Sequence, residues 1–312
     1  MSRARASAAG SVSNLGPGYD VLGLCLEGPR DVVEVALNAS GQVRLRDIQG
    51  DGGHLPRDAD QNCATVAARE VLTRFGAPGV GLDLWLEKGL PLGSGLGSSA
   101  ASAVAAAVAT ASLVAPELPR RALLDACREG ERLATGSPHP DNVAPSLLGG
   151  LVACVPGEGE AIDVVSLLVP EGLRVVTVKP DISVSTAEAR AALPREVSMG
   201  DAVANVAEMA ALITGLARGD WELVGRSLRD RFATPYRKRL IPGYDAVVSA
   251  AVAAGAVGAG ISGSGPTLFA LCAEEAHASA VSATMVDIFE SYGLASVAYT
   301  SAVDMGGARV ES

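Results

Sequence analysis

Apolar and polar positions alternate over residues 80–87, where Val or Leu occupies every second position. This pattern is typical of a strand with one buried face. Residues 102–114 are almost all Ala, Val, Ser and Thr, which predicts a tightly packed helix. Between these two elements, Gly and Ser fill all but one of positions 93–99. The chain is therefore organised around a strand, a Gly/Ser loop and a helix.

The rest of the pattern predicts further elements on both sides of this unit. Strands are expected at residues 21–26, 31–37, 173–178, 257–260, 268–272 and 296–300, with a strand and a loop within 42–53. Helices are expected at residues 61–75, 119–134, 142–148, 201–216, 220–232, 243–254 and 276–292. Ser185 and Glu188 form a capping box that opens one more helix. Residues 4–13 are only weakly patterned.

Two sets of strands and helices, each with its own Gly-rich loop, predict a two-domain α/β protein with a cleft between the domains. The Pro, Gly and Glu residues of 156–160 are the best linker candidate. We therefore expect domains at residues 1–155 and 156–312. With 48% hydrophobic but only 4% aromatic residues, the core must consist mainly of Leu, Val and Ala.

The composition argues against several classes of partner. A net charge of −10 argues against nucleic acid or an anionic membrane as the main partner. The five cysteines are dispersed without a Cys-x-x-Cys pair, which fits buried thiols in a reducing cytosol. The three histidines are too far apart for a familiar zinc motif. Since neither a signal peptide nor a membrane-spanning segment is expected, a cytoplasmic protein is predicted.

The Gly/Ser loop is a candidate phosphate site. The first turn of a helix exposes unpaired N–H groups and the positive end of the helix dipole, and glycine lets a phosphate approach the backbone. The loop has no Gly-Lys-Ser/Thr sequence, so it is not a Walker A motif, and Ser98 replaces the third glycine of the dinucleotide fingerprint. The alternative is a flexible turn between strand and helix.

Other polar residues stand beside turns or on apolar helix faces. Asn14 and Asp20 flank a Gly-Pro-Gly turn, which they either cap or use to present a ligand site. Glu131 lies near the apolar stripe of its helix, where acids are usually paired. Asp141 could cap helix 142–148, although capping does not explain His139 and Asn142 beside it. Further candidates are Thr186 and Arg190, one helical turn apart, and Arg237, which could hold a carboxylate bidentately.

Three segments resemble the motifs of the GHMP small-molecule kinases. They are Asn-Leu-Gly-Pro-Gly-Tyr-Asp at 14–20, Pro-Leu-Gly-Ser-Gly-Leu-Gly-Ser-Ser-Ala-Ala at 91–101, and Ser-Gly-Ser-Gly-Pro-Thr at 262–267. His-Pro-Asp-Asn at 139–142, Ser-Thr at 185–186 and Pro-Tyr-Arg at 235–237 resemble the branch of that family whose substrate is homoserine. The resemblance covers nearly the whole chain in order.

The resemblance implies an α+β fold with two domains and an active site in the cleft between them. The N-terminal, ATP-binding domain would be like domain 2 of ribosomal protein S5, and the C-terminal domain would be ferredoxin-like. The implied reaction is phosphorylation of the homoserine hydroxyl by ATP, on the route to threonine. A homodimer is also implied.

The resemblance also implies roles for individual residues. ATP would contact Asn62 and Lys88 near its base and, along its phosphates, Pro91, Leu92, Gly93, Ser94, Gly95, Leu96, Gly97, Ser98, Ser99, Ala100 and Ala101. Ser98 and Glu131 would hold Mg²⁺. Homoserine would contact Asn14, Asp20, His139, Asp141, Asn142, Thr186, Arg190, Arg237 and Gly263. The residue types fit independently, because an amino-acid zwitterion needs carboxylates for its ammonium group and guanidinium groups for its carboxylate.

One departure and several alternatives accompany this interpretation. The family usually has Pro-Ala-Ser/Thr-Ser/Thr-Ala before the Asn of its first motif, whereas residues 9–13 here read Ala-Gly-Ser-Val-Ser. We expect the substrate hydroxyl, aligned by Asn14, to attack ATP directly; the alternative is that Asp141 acts as a general base. Competing functions are a GHMP kinase for mevalonate, a sugar or shikimate, and a non-catalytic nucleotide-binding protein.

Overall fold

The computed structural model describes residues 2–76 and 79–311, so the outer ends of the two predicted domains, residues 1 and 312, lie outside the described residues. The strands are β1 (Arg3–Ser13), β2 (Leu22–Asn38), β3 (Val43–Gln49), β4 (Gly81–Glu87), β5 (Leu151–Pro156), β6 (Ile162–Leu167), β7 (Arg174–Pro180), β8 (Gly258–Ile261), β9 (Leu268–Cys272), β10 (Ser296–Ala302) and β11 (Arg309–Glu311). The helices are α1 (Cys63–Phe75), α2 (Ser98–Val114), α3 (Leu124–Thr135), α4 (Pro140–Leu148), α5 (Thr186–Ala191), α6 (Met199–Arg218), α7 (Trp221–Ser227), α8 (Thr234–Arg237), α9 (Tyr244–Ala253) and α10 (Glu275–Ser291). Short 3₁₀ turns cover Arg120–Leu123 and Lys238–Leu240.

The first sheet is built on β2, which is longer than the sequence pattern indicates. The sequence predicts two strands, at 21–26 and 31–37, but β2 runs through both as one strand of 17 residues. The prediction of only weak patterning in 4–13 also misses β1, which pairs antiparallel with β2 along most of its length. The register of β1 and β2 shifts between Ala9 and Ser11, opposite Gly28 and Pro29 of β2. Gly28 and Pro29 therefore lie inside the paired region and do not form a turn between two strands.

The first sheet also takes up segments from later in the chain. Its order is β11-β1-β2-β4-β3, and β5 joins β2 and β6; only the pair β3–β4 is parallel. Residues 157–161 connect β5 to its antiparallel neighbour β6, so the predicted linker at 156–160 is instead a hairpin connection. Pro, Gly and acidic residues suit tight turns as well as linkers. The sheets therefore do not divide the chain at residue 156, since β6 and β11 both belong to the first sheet.

The second sheet has the order β10-β7-β9-β8 and is antiparallel throughout. With α9 before β8 and α10 between β9 and β10, this is the split βαβ arrangement of the ferredoxin-like fold. Helices α9 and α10 cover one face, where Val247, Met285 and Phe289 are fully buried with Val176 and Val178 of β7. The implied ferredoxin-like domain is confirmed.

Helix α2 lies at the centre of the first domain and packs on α1, α3 and α4 and on strands β1 and β2. Twelve consecutive residues from 100 to 111 are buried, and all of them are Ala, Val, Ser or Thr. Small side chains allow neighbouring backbones to approach closely on every side, which is why a helix without an exposed face is stable here. Among the described residues, no helix combines the length and the apolar character that crossing a bilayer would take.

Candidate active site

The Gly/Ser loop connects β4 to α2, as the sequence pattern predicts. Helix α2 begins at Ser98, four residues earlier than the predicted start at 102. Its N-cap is Gly97, with φ of +67°, a left-handed conformation that favours glycine. Gly97 has no side chain with which to cap the helix, so the first N–H groups of α2 remain available to a ligand. Ser98 and Ser99 thereby occupy the first turn.

A second Gly-rich loop, between β8 and β9, packs directly on the first. Ser262 Oγ donates a hydrogen bond of 2.7 Å to the carbonyl of Gly95, and the Thr267 amide donates one of 3.2 Å to the carbonyl of Ser94. A Cβ at Gly95 would lie only 2.5 Å from the carbonyl oxygen of Ser262, so a side chain there would separate the loops. The contact fixes the two domains beside each other at the start of α2.

A cavity of about 550 Å³ lies between the two domains at this contact. This volume is within the range of small-molecule sites. The predicted site residues that line it are Asn14, Asp20, Asn62, Lys88, Leu92, Gly93, Ser94, Gly95, Gly97, Ser98, Ser99, Glu131, His139, Asp141, Asn142, Thr186, Arg190, Arg237 and Gly263. Of the remaining predicted residues, Leu96, Ala100 and Ala101 have their side chains in the core, and Pro91 lies outside the lining. The first three can reach a ligand through their backbone only.

Glu131 is a buried acid at the end of the cavity where α2 begins. It lies on α3 and is 4% exposed, and its Oε2 accepts a hydrogen bond of 2.7 Å from Ser99 Oγ. Burial raises the pKa of Glu131 to about 8, because only a hydroxyl compensates its charge. The sequence predicts Glu131 near the apolar stripe of its helix, and burial at this position explains its raised pKa.

Glu131 and the hydroxyl of Ser98 supply oxygen ligands of the kind that Mg²⁺ prefers. In the described part of the chain, no group of three or more His, Cys, Asp or Glu side chains could enclose a metal ion. A site with one carboxylate fits Mg²⁺, which usually keeps several waters and binds through one or two carboxylates and the phosphates of a substrate. The donor set therefore fits the implied ion.

Asp141 is a second buried acid that lines the cavity. Helix α4 begins at Pro140, whereas the sequence predicts a start at 142 with Asp141 as the cap. Proline suits the first helical position because its missing N–H would be unpaired there, and this places Asp141 inside the first turn. Asp141 is 3% exposed, and burial raises its pKa to about 7, with a further increase from the charge of Asp20.

Asp20, His139 and Arg190 form a cluster between the turn after β1, the start of α4 and helix α5. Arg190 of α5 lies 2.7 Å from Nε2 of His139 and 3.6 Å from Oδ2 of Asp20. Nδ1 of His139 lies 3.7 Å from the same carboxylate oxygen. The predicted proximity of Thr186 and Arg190 on one helix face is confirmed, since both belong to α5 and line the cavity.

Arg237 is a buried cation of the cavity, at 4% exposure. Its Nε donates to the carbonyl of Ala189 at 3.1 Å and one terminal nitrogen donates to the carbonyl of Gly263 at 2.9 Å. The guanidinium carbon lies 5.3 Å from the centre of the Tyr19 ring, within the range of a cation–π contact. The remaining N–H groups are available to a ligand.

Asn14 links the first motif to the third. Its Nδ2 donates to the carbonyl of Gly263 at 3.0 Å, and its Oδ1 accepts from the backbone N–H of Asp20 at 3.0 Å. Asn14 and Asp20 have φ of +70° and +55°, and Asn and Asp tolerate this left-handed region better than most residues. Asn14 therefore fixes the turn, as the sequence allowed, and still lines the cavity with its second N–H available.

Asn142 is held by the serines of the divergent stretch before Asn14. Ser11 Oγ donates to Asn142 Oδ1 at 3.0 Å, and Asn142 Nδ2 donates to Ser13 Oγ at 3.0 Å. Ser13 occupies the position at which the family usually has Ala. The amide of Asn142 is thus engaged with β1, and its predicted contact with substrate stays a prediction.

Asn62 and Lys88 line the cavity, but their polar atoms are bonded within the protein. Asn62 caps α1 by accepting from the Ala64 amide at 3.0 Å and donates to the carbonyl of Pro56 at 3.1 Å. Lys88 forms an ion pair with Asp31, an acid that the sequence reasoning missed. A signal was present, because Asp31 has the same parity as the buried Val33 and Val35 in its strand.

Comparisons with known proteins agree with this geometry. The family model described as GHMP kinases N terminal domain matches residues 62–150, and the one described as GHMP kinases C terminal matches residues 212–291. The chain is 38% identical to homoserine kinase of Chloroherpeton thalassium over 298 residues, covering 93% of each chain. It is 41% identical to homoserine kinase of Arabidopsis thaliana over 307 residues, covering 96% of this chain and 82% of the other.

Solved structures show the same likeness. Homoserine kinase from Cytophaga hutchinsonii superposes with a TM-score of 0.95 at 39% identity, covering 100% of this chain and 98% of that one. Mevalonate kinase from L. major superposes with a TM-score of 0.72 at 18% identity, covering 95% of each chain, which shows a shared fold.

Proposed function

Because the chain belongs to the GHMP kinase family, we propose that it transfers the γ-phosphoryl group of ATP to the side-chain hydroxyl of L-homoserine. The products are O-phospho-L-homoserine and ADP, and the reaction serves threonine biosynthesis. One observation carries the choice of substrate: the carboxylates of Asp20 and Asp141 and the guanidinium groups of Arg190 and Arg237 line the same cavity as the glycine loop.

These four charges match an amino-acid zwitterion. Asp20 and Asp141 would bind the ammonium group, and Arg190 and Arg237 would bind the carboxylate. The two arginines lie on α5 and α8, while Asp20 lies between β1 and β2 and Asp141 lies in α4. Mevalonate and sugars carry no ammonium group, so in a kinase for those substrates Asp141 would find no cation on the substrate.

The phosphates of ATP would lie along the glycine loop and the first turn of α2. The unpaired N–H groups at this turn and the positive end of the helix dipole favour an anion. Ser98 and Glu131 would hold Mg²⁺, which, when bound, neutralises charge on the phosphate oxygens. Burial of Glu131 supports this assignment, because a carboxylate with a pKa raised to about 8 gains most from a cation.

Phosphoryl transfer proceeds mainly by positioning, because its transition state is loose and its charge is spread over the equatorial oxygens. The charged groups around homoserine would fix both ends of the molecule and direct its hydroxyl toward the glycine loop. The free N–H of Asn14 would orient that hydroxyl for direct attack. Asp141 is the alternative, as a general base, and its pKa of about 7 is compatible with either role.

The substrate assignment is tested with the purified protein, Mg²⁺ and ATP against homoserine, mevalonate, galactose and shikimate. ADP formation is followed by a coupled assay, and the product is identified by ³¹P NMR. We expect ADP and a new phosphomonoester with homoserine only. ADP formation with another alcohol and not with homoserine would overturn the proposal, and binding of nucleotide without turnover on any alcohol would favour the non-catalytic alternative.

The implied homodimer is part of the proposal. The exposed face of α6 carries Met199, Val203 and Val206, which are 79%, 62% and 61% exposed and lie at helical spacing. Light scattering should give twice the chain mass, and Val203→Glu should give the monomer. The net charge of −10 supports the further proposal that the partners are small molecules and include neither nucleic acid nor anionic membrane. A cytoplasmic location stays a prediction.

A further inference from the structure

A buried ion pair lies beneath the start of α2 and has no role in the function proposed above. Asp31 is on β2 and Lys88 directly follows β4, and their side chains are 0% and 1% exposed. Burying two charges is costly even when they pair, and such pairs are often no more stable than an apolar replacement. A role beyond stability is therefore worth testing for this pair.

The side chain of Asp31 connects its own strand to two other parts of the first domain. One carboxylate oxygen accepts from the backbone N–H groups of Gly89 and Leu90, at 3.0 Å each. The other accepts from Ser102 Oγ at 2.6 Å and from the ammonium group of Lys88. Strand β2, the segment that enters the glycine loop and helix α2 are thus joined through one side chain.

Lys88 extends this connection to the phosphate site. Its Nζ lies 2.8 Å from Ser98 Oγ and 3.0 Å from the Ser98 carbonyl oxygen, and 2.9 Å from Ser102 Oγ. An ammonium group only donates, so the Ser98 hydroxyl oxygen must accept there. The hydroxyl keeps its proton and a second lone pair for a ligand, and its direction is fixed by Lys88.

We propose that Asp31 and Lys88 are positioning residues for the phosphate end of the site. Lys88 orients the Ser98 hydroxyl, and Asp31 holds Lys88 while compensating its charge. Without Asp31, a bare ammonium group beside Ser98 would repel the cation that Ser98 is expected to bind. The inference rests on the proposed function, and it assigns Lys88 to the phosphate side, away from the base contact that the resemblance implies.

The test compares Lys88→Met, Asp31→Asn and the double variant, each measured for ADP binding by calorimetry with and without Mg²⁺. The double variant removes both charges together and so avoids leaving one buried charge unpaired. In each variant we expect the affinity for ADP with Mg²⁺ to fall about 10- to 100-fold, as for other residues that orient metal ligands. The affinity for ADP without Mg²⁺ should stay within about threefold of the parent protein's. The homoserine KM should not change.

A cycle with Ser98→Ala tests whether the pair acts through Ser98. In the Ser98→Ala background, Lys88→Met should add less than about twofold to the loss of Mg²⁺-dependent binding. Full additivity, or a double variant that binds Mg²⁺ and ADP like the parent protein, would overturn the inference. Failure of the proposed function would look different, since the parent protein would then not turn over homoserine at all.

A matched control is available in the same sheet. Arg30 and Asp304 form a partly buried ion pair, at 2.8 Å, whose side chains are 18% and 3% exposed and do not line the cavity. The double variant Arg30→Met with Asp304→Asn should lower the unfolding temperature and leave the effect of Mg²⁺ on ADP binding unchanged. An equal loss of Mg²⁺-dependent binding in this control would mean that destabilisation alone explains the result, which overturns the inference.

Discussion

Arg190 donates a hydrogen bond of 2.7 Å to Nε2 of His139. A guanidinium group has no acceptor, so Nε2 is unprotonated and the ring is neutral, with its proton on Nδ1 facing Asp20. Burial lowers the pKa of His139, the charges of Arg190 and Arg237 lower it further, and Asp20 opposes them. A neutral histidine thus connects α5 to the start of α4.

The first prediction concerns pH. Protonation of His139 would remove the acceptor for Arg190 and add a second positive charge beside it. We expect the homoserine KM to rise as the pH falls below the ordinary histidine value of 6.5, more steeply in the parent protein than in His139→Gln. Glutamine keeps an acceptor and does not titrate. Steady-state kinetics between pH 5 and 8 measure this, and identical pH profiles for the two proteins would contradict it.

The second prediction separates two roles of Asp141. If the carboxylate binds the ammonium group, Asp141→Asn removes a charge-assisted hydrogen bond, which contributes about 1.5–3 kcal/mol. The homoserine KM should then rise about 10- to 150-fold with little change in kcat. A large fall in kcat with an unchanged KM would instead identify Asp141 as a base. Asp20→Asn is the control, because it should raise KM under either mechanism.

The third prediction uses the same substitution to measure stability. The folded state raises the pKa of Asp141 from 3.8 to about 7. The folded state therefore favours the protonated acid. The free energy of unfolding falls as the pH rises from about 4 to 7, by on the order of 4 kcal/mol in total. Without ligands, Asp141→Asn should be more stable than the parent protein at pH 8 and equally stable near pH 4. Urea unfolding at both pH values measures the difference, and a variant less stable at pH 8 would refute it.

The fourth prediction concerns Glu131→Gln. Glutamine can still accept from Ser99 Oγ, which donates to Glu131 at 2.7 Å, so folding should be little affected. The loss of the charge should weaken Mg²⁺-dependent ADP binding by at least about tenfold. Calorimetry with and without Mg²⁺ measures this. If the variant is as active as the parent protein at limiting Mg²⁺, Glu131 does not bind the metal ion.

Sequence reasoning succeeded where local chemistry determines local structure. Glycines at 93, 95 and 97 all adopt positive φ in the observed loop, and the capping box of Ser185 and Glu188 is present with both of its hydrogen bonds. Glu131 could be placed near the core because its helix has a regular apolar stripe. In each case, the residues that give the signal are close in sequence to the residues whose conformation or burial they predict.

Sequence reasoning failed where distant pairing decides the outcome. Strand β1 is defined by its pairing with β2, and its own sequence shows no strong alternation of apolar and polar residues. β11, which pairs with β1, lies about 300 residues further along the chain, so no local pattern could assign it to the first sheet. Asp31 was overlooked for the same reason, because its partners come from elements that only the fold brings together.

The fifth prediction concerns Ser13, which stands where the family usually has Ala. Ser13→Ala removes the acceptor for Asn142 Nδ2 at 3.0 Å, a hydrogen bond that is partly buried. We expect a loss of about 0.5–1.5 kcal/mol in the free energy of unfolding, measured by urea denaturation. In an Asn142→Ala background the same substitution should cost much less, because no amide is left to pair. If Ser13→Ala lowers the free energy of unfolding equally in both backgrounds, this hydrogen bond does not stabilise the protein. Serine in place of the usual alanine would then have no consequence for Asn142.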